Sequence, residues 1–275
     1  MSSLAVTAQV TDDQMRRYAK MIYEVAGIEI SLAKKQLLSN RIRRRLKESG
    51  IADFEQYYNF LKKLPLSHAE WDGFLQEVTT HETYLFRDES NWKWLRGTYL
   101  PEKQKSGKTS LRVWSAACST GDEAYSIATC VADGLRNPSS WKVQILGTDI
   151  GIGAVQDAKD AKFNERAMRL VPDDLKRRYF SQMGGAAIWE PNAKLRAMTK
   201  FQQHNLLDRL AESPFDLVFL KNVLIYFNAD SKKRVIKNIE QVMKPGSYLV
   251  AGAAEGISDI MGGFERIHPW LYLRK

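Results

Sequence analysis

Residues 111–126 read LRVWSAACSTGDEAYS, and this stretch decides the fold. Its first seven residues form an apolar run that predicts a buried strand. The small residues that follow predict a turn where a ligand can come close to the backbone before a helix begins. This turn lacks the three spaced glycines of a dinucleotide-binding loop. The stretch therefore predicts a strand, a ligand-contacting turn and a helix, as in α/β folds.

Similar apolar runs recur at residues 142–146, 215–220, 247–251 and 270–273, and helical patterns lie between most of them. Strands that alternate with helices indicate an α/β fold with a mostly parallel sheet covered on both faces. Residues 171–201 differ, because a helix, two adjacent glycines and short alternating segments predict a small β-rich insertion.

The N-terminal part of the chain has the periodicity of amphipathic helices. Turn signals at Gly27, Gly50 and Pro65 separate these helices. They are predicted at residues 14–26, 32–49, 54–61 and 69–77. We therefore expect a helical domain at residues 1–78, a linker at 79–95 and an α/β domain at 96–275.

Bulk composition limits the class of protein. The chain has 275 residues, of which 44% are apolar and mixed with charged residues, as in globular proteins. No run approaches the roughly 20 apolar residues that cross a bilayer, and no secretory signal is evident, so we expect a cytoplasmic protein. Cys118, in the predicted strand, and Cys130 are expected to be free thiols, and no metal site is expected.

The net charge of +9 favours an anionic partner, which could be nucleic acid, a membrane surface or an acidic protein. Much of this charge lies on one predicted amphipathic helix. A charge run is commonly a solvated helix face, but the absence of acidic residues between positions 31 and 47 favours a binding surface. The basic residues there are Lys34, Lys35, Arg41, Arg43, Arg44, Arg45 and Lys47.

Polar residues follow several predicted strands, where open α/β sheets bind ligands. Asp149 ends the second strand, and its carboxylate can accept hydrogen bonds from a ribose diol, although it could instead cap the next helix. Asn205 and Asn222 follow later segments. Their amides suit the edge of adenine or the amino-acid end of a cofactor, although lone asparagines more often stabilise turns.

Five motifs occur in an order that is specific as a set. They are AGI at 26–28, NRIRRR at 40–45, TYLFRD at 83–88, VWSAACSTGDEAYS at 113–126 and NVLIYF at 222–227. Through these motifs nearly the whole chain resembles the CheR chemotaxis receptor methyltransferases.

The resemblance implies a class I methyltransferase-like (Rossmann-like) fold with an N-terminal all-α domain and a small β-subdomain. It also implies S-adenosylmethionine as cofactor, S-adenosylhomocysteine as product, and a contribution of the linker to the cofactor site. The chain departs from the family at His81, where asparagine is common, at Lys221, where arginine is frequent, and at Ala253 and Ala254, which replace polar residues. The implied cofactor-binding residues are His81, Thr83, Arg87, Ala117, Glu123, Asp149, Asn205, Leu206, Asn222 and Val223.

The implied reaction is methyl transfer to glutamate side chains of chemoreceptors. A glutamate carboxylate is already an anion near neutral pH, so its attack on the methyl group needs no general base. Arg87 and Tyr226 are the catalytic candidates, because both can donate hydrogen bonds to a carboxylate. The alternative for Tyr226 is a core aromatic residue with a satisfied hydroxyl. The receptor would be held by Arg41, Arg43, Arg44, Arg45 and Lys47.

The expected partner is the helical cytoplasmic domain of a chemoreceptor, and the β-subdomain is a candidate site for a receptor's C-terminal tail peptide. A monomer without membrane insertion or bound nucleic acid is expected. Three alternatives are a nucleic-acid methyltransferase of the same fold, a non-catalytic cofactor-binding signalling module and a small-molecule methyltransferase. The basic helix lacks a nearby aromatic platform, which argues against a nucleic-acid substrate. The complete set of implied cofactor-binding residues argues against a non-catalytic module. A small-molecule methyltransferase would have no evident use for the basic N-terminal domain.

Overall fold

The computed structural model describes residues 9–185 and 187–275. A helical bundle comes first along the chain, and a mixed α/β part follows it. No helix within these residues is long and apolar enough to cross a membrane.

Local capping explains where the N-terminal helices begin and end. Thr11 and Gln14 form a capping box at the start of the first helix, and Asp53 caps the third. Gly27 and Gly50 end the first two helices with φ of 72° and 71°, which glycine adopts without strain. The predicted helices are confirmed as α1 (Asp12–Ala26), α2 (Lys35–Ser49), α3 (Phe54–Lys63) and α4 (Ala69–Val78).

The described strands, in chain order, are β1 (Ser110–Ala116), β2 (Lys142–Asp149), β3 (Phe163–Asn164), β4 (Phe180–Gln182), β5 (Ile188–Pro191), β6 (Thr199–Gln203), β7 (Phe215–Leu220), β8 (Met243–Ala251), β9 (Phe264–His268) and β10 (Leu271–Arg274). Seven of them form the main sheet in the order β6-β2-β1-β7-β8-β10-β9. The first five strands pair in parallel, and β10 pairs antiparallel with both β8 and β9, which confirms the mostly parallel sheet.

Helices cover both faces of this sheet. Successive residues of a strand point to opposite faces, so Val113 packs in one core with Ile127 and Trp114 packs in the other with Ile236. Both cysteines are buried free thiols, although Cys118 lies in the turn after β1 and not in the strand. The helices are α5 (Glu89–Trp94), α6 (Leu100–Lys105), α7 (Asp122–Gly134), α8 (Ile152–Asp160), α9 (Glu165–Met168), α10 (Asp173–Tyr179), α11 (Ala193–Met198) and α12 (Ala229–Gln241).

Strands β3, β5 and β4 form a separate antiparallel sheet. The sequence places this β-rich part at residues 171–201, but its first strand begins at Phe163 and its last ends at Pro191. Strand β6 instead pairs with β2 at the edge of the main sheet. A two-residue strand has no detectable period, and β6 and β9 are largely exposed, so none of the three has the apolar pattern that predicts strands.

The helical bundle packs against the carboxyl ends of the sheet strands. The Glu29 amide donates to the Tyr226 carbonyl at 2.8 Å, and the Asn205 side chain donates to the Val25 carbonyl at 2.7 Å. Gln76 on α4 accepts a hydrogen bond from a backbone amide of α8 at 3.1 Å. These contacts bring the bundle over the edge of the sheet where ligands bind in open α/β folds.

Candidate functional site

A cleft lies between the bundle and the carboxyl ends of β1, β2, β6 and β7, and it encloses about 1140 Å³ including its open mouth. The bundle side includes Lys34, Leu37 and Arg41. Most of the residues that the sequence predicts for the site line this cleft. They are Arg41, His81, Thr83, Arg87, Ala117, Asp149, Asn205, Leu206, Asn222, Val223 and Tyr226.

Asp149 is the central polar group of the cleft. Its carboxylate accepts hydrogen bonds from the Ser119 amide at 2.9 Å and from the Gly151 amide at 3.0 Å. The Ser119 hydroxyl donates to the His81 carbonyl at 3.0 Å. Asp149 therefore joins the turns after β1 and β2, and each of its oxygens retains a lone pair that can accept a further hydrogen bond from a diol.

The turns that line the cleft are strained. Ala117, Ser119 and Asn222 have φ of 62°, 50° and 58°, a region that costs a residue other than glycine roughly 1 kcal/mol or more. Such strain persists only where neighbouring contacts impose the conformation, and it concentrates at functional sites. The three strained residues all face the same cleft.

The two candidate asparagines differ in what they offer a ligand. Asn205 uses its amide nitrogen on Val25 and its amide oxygen on the Leu207 backbone at 3.0 Å. Its side chain therefore stabilises a turn, as the alternative interpretation of lone asparagines holds. The Asn222 side chain makes no hydrogen bond to any of the described residues, so its amide is available to a ligand in the cleft.

Glu123 lies behind the cleft wall. The Ser115 hydroxyl donates to its carboxylate at 2.8 Å, and the Lys221 ammonium lies 3.5 Å from its other oxygen. Lys221 is 3% exposed, and it also contacts Asp88 at 2.9 Å and the Arg87 carbonyl at 3.4 Å. Burial raises the pKa of Glu123, and the charge of Lys221 opposes this rise. Lys221 thus ties the end of β7 to the linker that carries Arg87.

The two catalytic candidates both reach the cleft. The Arg87 guanidinium lies 5.6 Å from the centre of the Tyr84 ring. Tyr226 is half-buried, and the Lys34 ammonium lies 5.7 Å from the centre of its ring. The Tyr226 hydroxyl makes no hydrogen bond to any of the described residues, so Tyr226 is not a core aromatic residue with a satisfied hydroxyl.

The arginines of α2 have acidic partners that the local sequence does not show. Glu70 accepts hydrogen bonds from Arg45 at 2.9 to 3.1 Å and from the Tyr57 hydroxyl at 2.5 Å, and Glu77 pairs with Arg44 at 2.5 Å. Both glutamates lie on α4, which packs beside α2. The expectation of an uncompensated basic helix is therefore wrong for these two arginines, because the fold supplies acidic residues distant in sequence.

Arg45 has a structural role that can be tested. Its side chain is 13% exposed, as is that of Glu70, so changing Arg45 to glutamine leaves a partly buried carboxylate unpaired. We expect a loss of about 2 kcal/mol in the free energy of unfolding, measured with denaturant. Lys47→Gln, at an exposed position of the same helix, is the matched control. Equal stability of the two variants would contradict this role.

The cleft lining includes further residues outside the sequence prediction, among them four polar ones. Lys34, Ser119, His204 and Lys221 line the cleft. Ser119 could have been inferred, because it belongs to the turn after β1. The other three depend on which loops the fold brings together. In contrast, the predicted residues Glu123, Arg43, Arg44, Arg45 and Lys47 are not among those that line the cleft.

Comparison with known proteins places this geometry in a family. Residues 13–79 match the CheR methyltransferase all-alpha domain, and residues 81–269 match the CheR methyltransferase SAM binding domain. The chain belongs to the CheR methyltransferase family. Chemotaxis protein methyltransferases of Klebsiella aerogenes and Escherichia coli are each 33% identical to it, over 96% and 91% of this chain and 91% and 87% of theirs. That of Borreliella burgdorferi is 31% identical over 90% of this chain and 89% of its own length.

Membership of the CheR family makes S-adenosylmethionine the cofactor, and the cleft fits it. Asp149 offers acceptors for the ribose diol, and Asn222 offers an unpartnered amide. The small side chains of Ala117 and Ser119 leave the backbone of the first turn accessible.

Proposed function

We propose that this CheR family member is a protein-glutamate O-methyltransferase that esterifies glutamate side chains of bacterial chemoreceptors for sensory adaptation. The observation that carries the proposal is the placement of Arg87, Tyr226 and Asp149 in one cleft with the bundle cations Lys34 and Arg41. On the bundle side the cations Lys34 and Arg41 outnumber the carboxylate of Glu29, which suits an anionic substrate, and Asp149 suits the nucleoside of the cofactor.

S-adenosylmethionine supplies a methyl group on a positively charged sulfur. The attacking glutamate is an anion near neutral pH, so the protein need not remove a proton. Arg87 and Tyr226 hold the carboxylate through donated hydrogen bonds, and the cleft walls exclude water from the two charges. The new C–O bond forms as the methyl–sulfur bond breaks, which yields a methyl ester and neutral S-adenosylhomocysteine.

Tyr226 gives a direct test of this arrangement. Replacing it with phenylalanine removes only the hydroxyl, so we expect transfer at saturating cofactor to slow about tenfold, the effect of one lost hydrogen bond. Calorimetry should give an almost unchanged affinity for S-adenosylhomocysteine. Tyr58→Phe, a half-buried tyrosine on α3 that is outside the lining of the cleft, is the matched control. Equal transfer rates in wild type and Tyr226→Phe would remove Tyr226 from the mechanism.

The receptor-docking surface is proposed to lie on the exposed side of α2. Arg43 and Lys47 lie one turn apart there, and Arg44 is exposed. Arg41 lies nearer the cleft and donates to the Thr80 hydroxyl at 3.0 Å. Arg44 and Arg45 are both paired with glutamates of α4, but the Arg44 side chain is 58% exposed and that of Arg45 only 13%, so Arg45 contributes less to docking. Charge reversal at Arg44 should weaken receptor methylation and leave cofactor affinity unchanged.

The reaction product distinguishes the candidate functions. The protein is incubated with a radiolabelled methyl donor and receptor cytoplasmic domains, and mild alkali is then added. Methyl esters release volatile labelled methanol, whereas N-methyl groups retain the label. Loss of labelling after nuclease treatment would favour a nucleic-acid methyltransferase, and cofactor binding without any transfer would favour a non-catalytic signalling module.

The parts of the chain are proposed to have separate roles. We assign receptor docking to residues 1–78, part of the cofactor site to the linker 79–95 and catalysis to residues 96–275. The small antiparallel sheet is the proposed site for a receptor's C-terminal tail peptide. The protein is proposed to act as a monomer in the cytoplasm, where the helical signalling domains of chemoreceptors lie.

A further inference from the structure

Glu255 is a buried carboxylate in the turn after β8. It is 1% exposed. One oxygen accepts a hydrogen bond from the Asn222 amide, and the other accepts one from the Leu224 amide at 2.7 Å. The Lys232 ammonium donates to the backbone carbonyl of Glu255 at 2.6 Å, which holds the turn that carries the carboxylate.

The carboxylate of Glu255 is held by backbone amides and forms no ion pair with the described residues. Burial raises its pKa, and the amides of the turn that begins at Asn222 oppose this rise. If one of these amides moved away, the buried carboxylate would lose a hydrogen bond, and a buried anion without its hydrogen bonds is costly in free energy. A Cβ at Gly252 would overlap the Glu255 carboxylate, so a side chain there would displace it.

The turn that Glu255 holds is the one that needs support. Asn222 has a φ of 58°, so the turn is strained and requires contacts that keep it in place. Asn222 and Val223 line the cofactor cleft, and Tyr226 follows within the same short loop. By bonding both ends of the Asn222–Leu224 segment, one side chain fixes the residues that face the cofactor and the residue that faces the substrate.

We infer that Glu255 is a positioning residue for methyl transfer, which clamps the loop from Asn222 to Tyr226 without touching cofactor or substrate. Its part in placing Tyr226 rests on the proposed function. Its part in placing Asn222 and Val223 does not, because that part concerns only the cofactor cleft. The two parts therefore have separate measurements.

The first measurement is cofactor affinity in Glu255→Gln. A carboxamide has the same shape, but its NH₂ group cannot accept a hydrogen bond and faces one of the two amides. We expect S-adenosylhomocysteine to bind about tenfold more weakly, as for the loss of one charge-assisted hydrogen bond. Asp259→Asn, an exposed position four residues away, is the matched control and should bind as wild type does. Glu255→Asp, which keeps the charge on a shorter side chain, should give an intermediate affinity.

The second measurement is the coupling between Glu255 and Tyr226 in the transfer rate at saturating cofactor. If Glu255 places the Tyr226 hydroxyl, Tyr226→Phe should slow transfer about tenfold in wild type but less than about threefold in Glu255→Gln. A merely structural role would leave the two effects multiplicative. Where Glu255→Gln does not fold, the same cycle is measured with Glu255→Asp.

Two results would overturn the inference. One is wild-type affinity for S-adenosylhomocysteine in both Glu255 variants, and the other is a fully multiplicative cycle with Tyr226→Phe. The proposed function fails in a different way, through unchanged transfer by Tyr226→Phe in the wild-type background. In that case weaker cofactor binding by Glu255→Gln would still support the clamp on Asn222 and Val223.

Discussion

S-adenosylhomocysteine should bind the Asp149→Asn variant about a hundredfold more weakly than it binds wild type. The carboxylate has two roles in the cleft, because it bonds the Ser119 and Gly151 amides and remains able to accept from a ribose diol. Asparagine keeps the shape but removes the charge, and its NH₂ group must face a donor. The loss of two charge-assisted hydrogen bonds corresponds to about 3 kcal/mol, and calorimetry measures it directly.

The control for this variant is Asp208→Asn, an exposed carboxylate whose oxygen lies 3.7 Å from Arg234 outside the cleft. It should bind S-adenosylhomocysteine as wild type does. Near-equal affinities of the Asp149 and Asp208 variants would mean that the cofactor's ribose does not bind at the end of β2. The assignment of Asp149 would then fail, although the fold would stand.

The second large effect is on stability. Replacing Lys221 with methionine should lower the free energy of unfolding by about 3 kcal/mol at neutral pH. The 3%-exposed ammonium pairs with Asp88 and lies near Glu123, whose side chain is 15% exposed, so its removal leaves the carboxylate of Glu123 without a cation. Adding Glu123→Gln removes that charge and should restore part of the stability. Denaturant unfolding of the single and double variants measures both effects.

The Lys221 variant should also depend on pH in a defined direction. Burial raises the pKa of Glu123, and loss of the nearby ammonium raises it further. A carboxyl whose pKa is higher in the folded than in the unfolded protein destabilises the fold as pH rises above the unfolded value. The deficit of Lys221→Met should therefore be smaller near pH 4.3, about the unfolded value for glutamate, than near pH 8. Lys237→Met, at an exposed site on α12, should show no such deficit.

The sequence predicts the strands that bury a continuous apolar surface. Strands β1, β2, β7, β8 and β10 are central or packed on both faces, so their apolar runs are visible without a structure. Strands β3, β6 and β9 are short or exposed, and their pairing is decided by neighbours distant in the chain. The same reason explains why the bounds of the small sheet differ from those predicted.

The candidate site also contains residues that the sequence predicts and residues whose roles only the structure shows. Asp149 and Asn222 are predicted from the sequence because each lies at the carboxyl end of a strand, and the topology of an α/β sheet places such residues together. Ala117 is implied by the resemblance to the CheR family. The sequence does not predict the functions of Lys221 and Glu255. Each is a lone charge whose partners lie about thirty or more residues away in the chain. Only a folded chain shows whether a lone charge is solvated or buried.

The sequence by itself determined the alternating pattern of strands and helices, the cofactor turn after β1 and the excess of basic residues on α2. Those properties depend on local periodicity and residue type. The tertiary structure decided which of the α2 arginines are paired by α4, that the Asn205 amide holds a turn, and that the Asn222–Tyr226 loop rests on one buried carboxylate. These are long-range contacts, and their energies depend on burial, which no single segment of the sequence specifies.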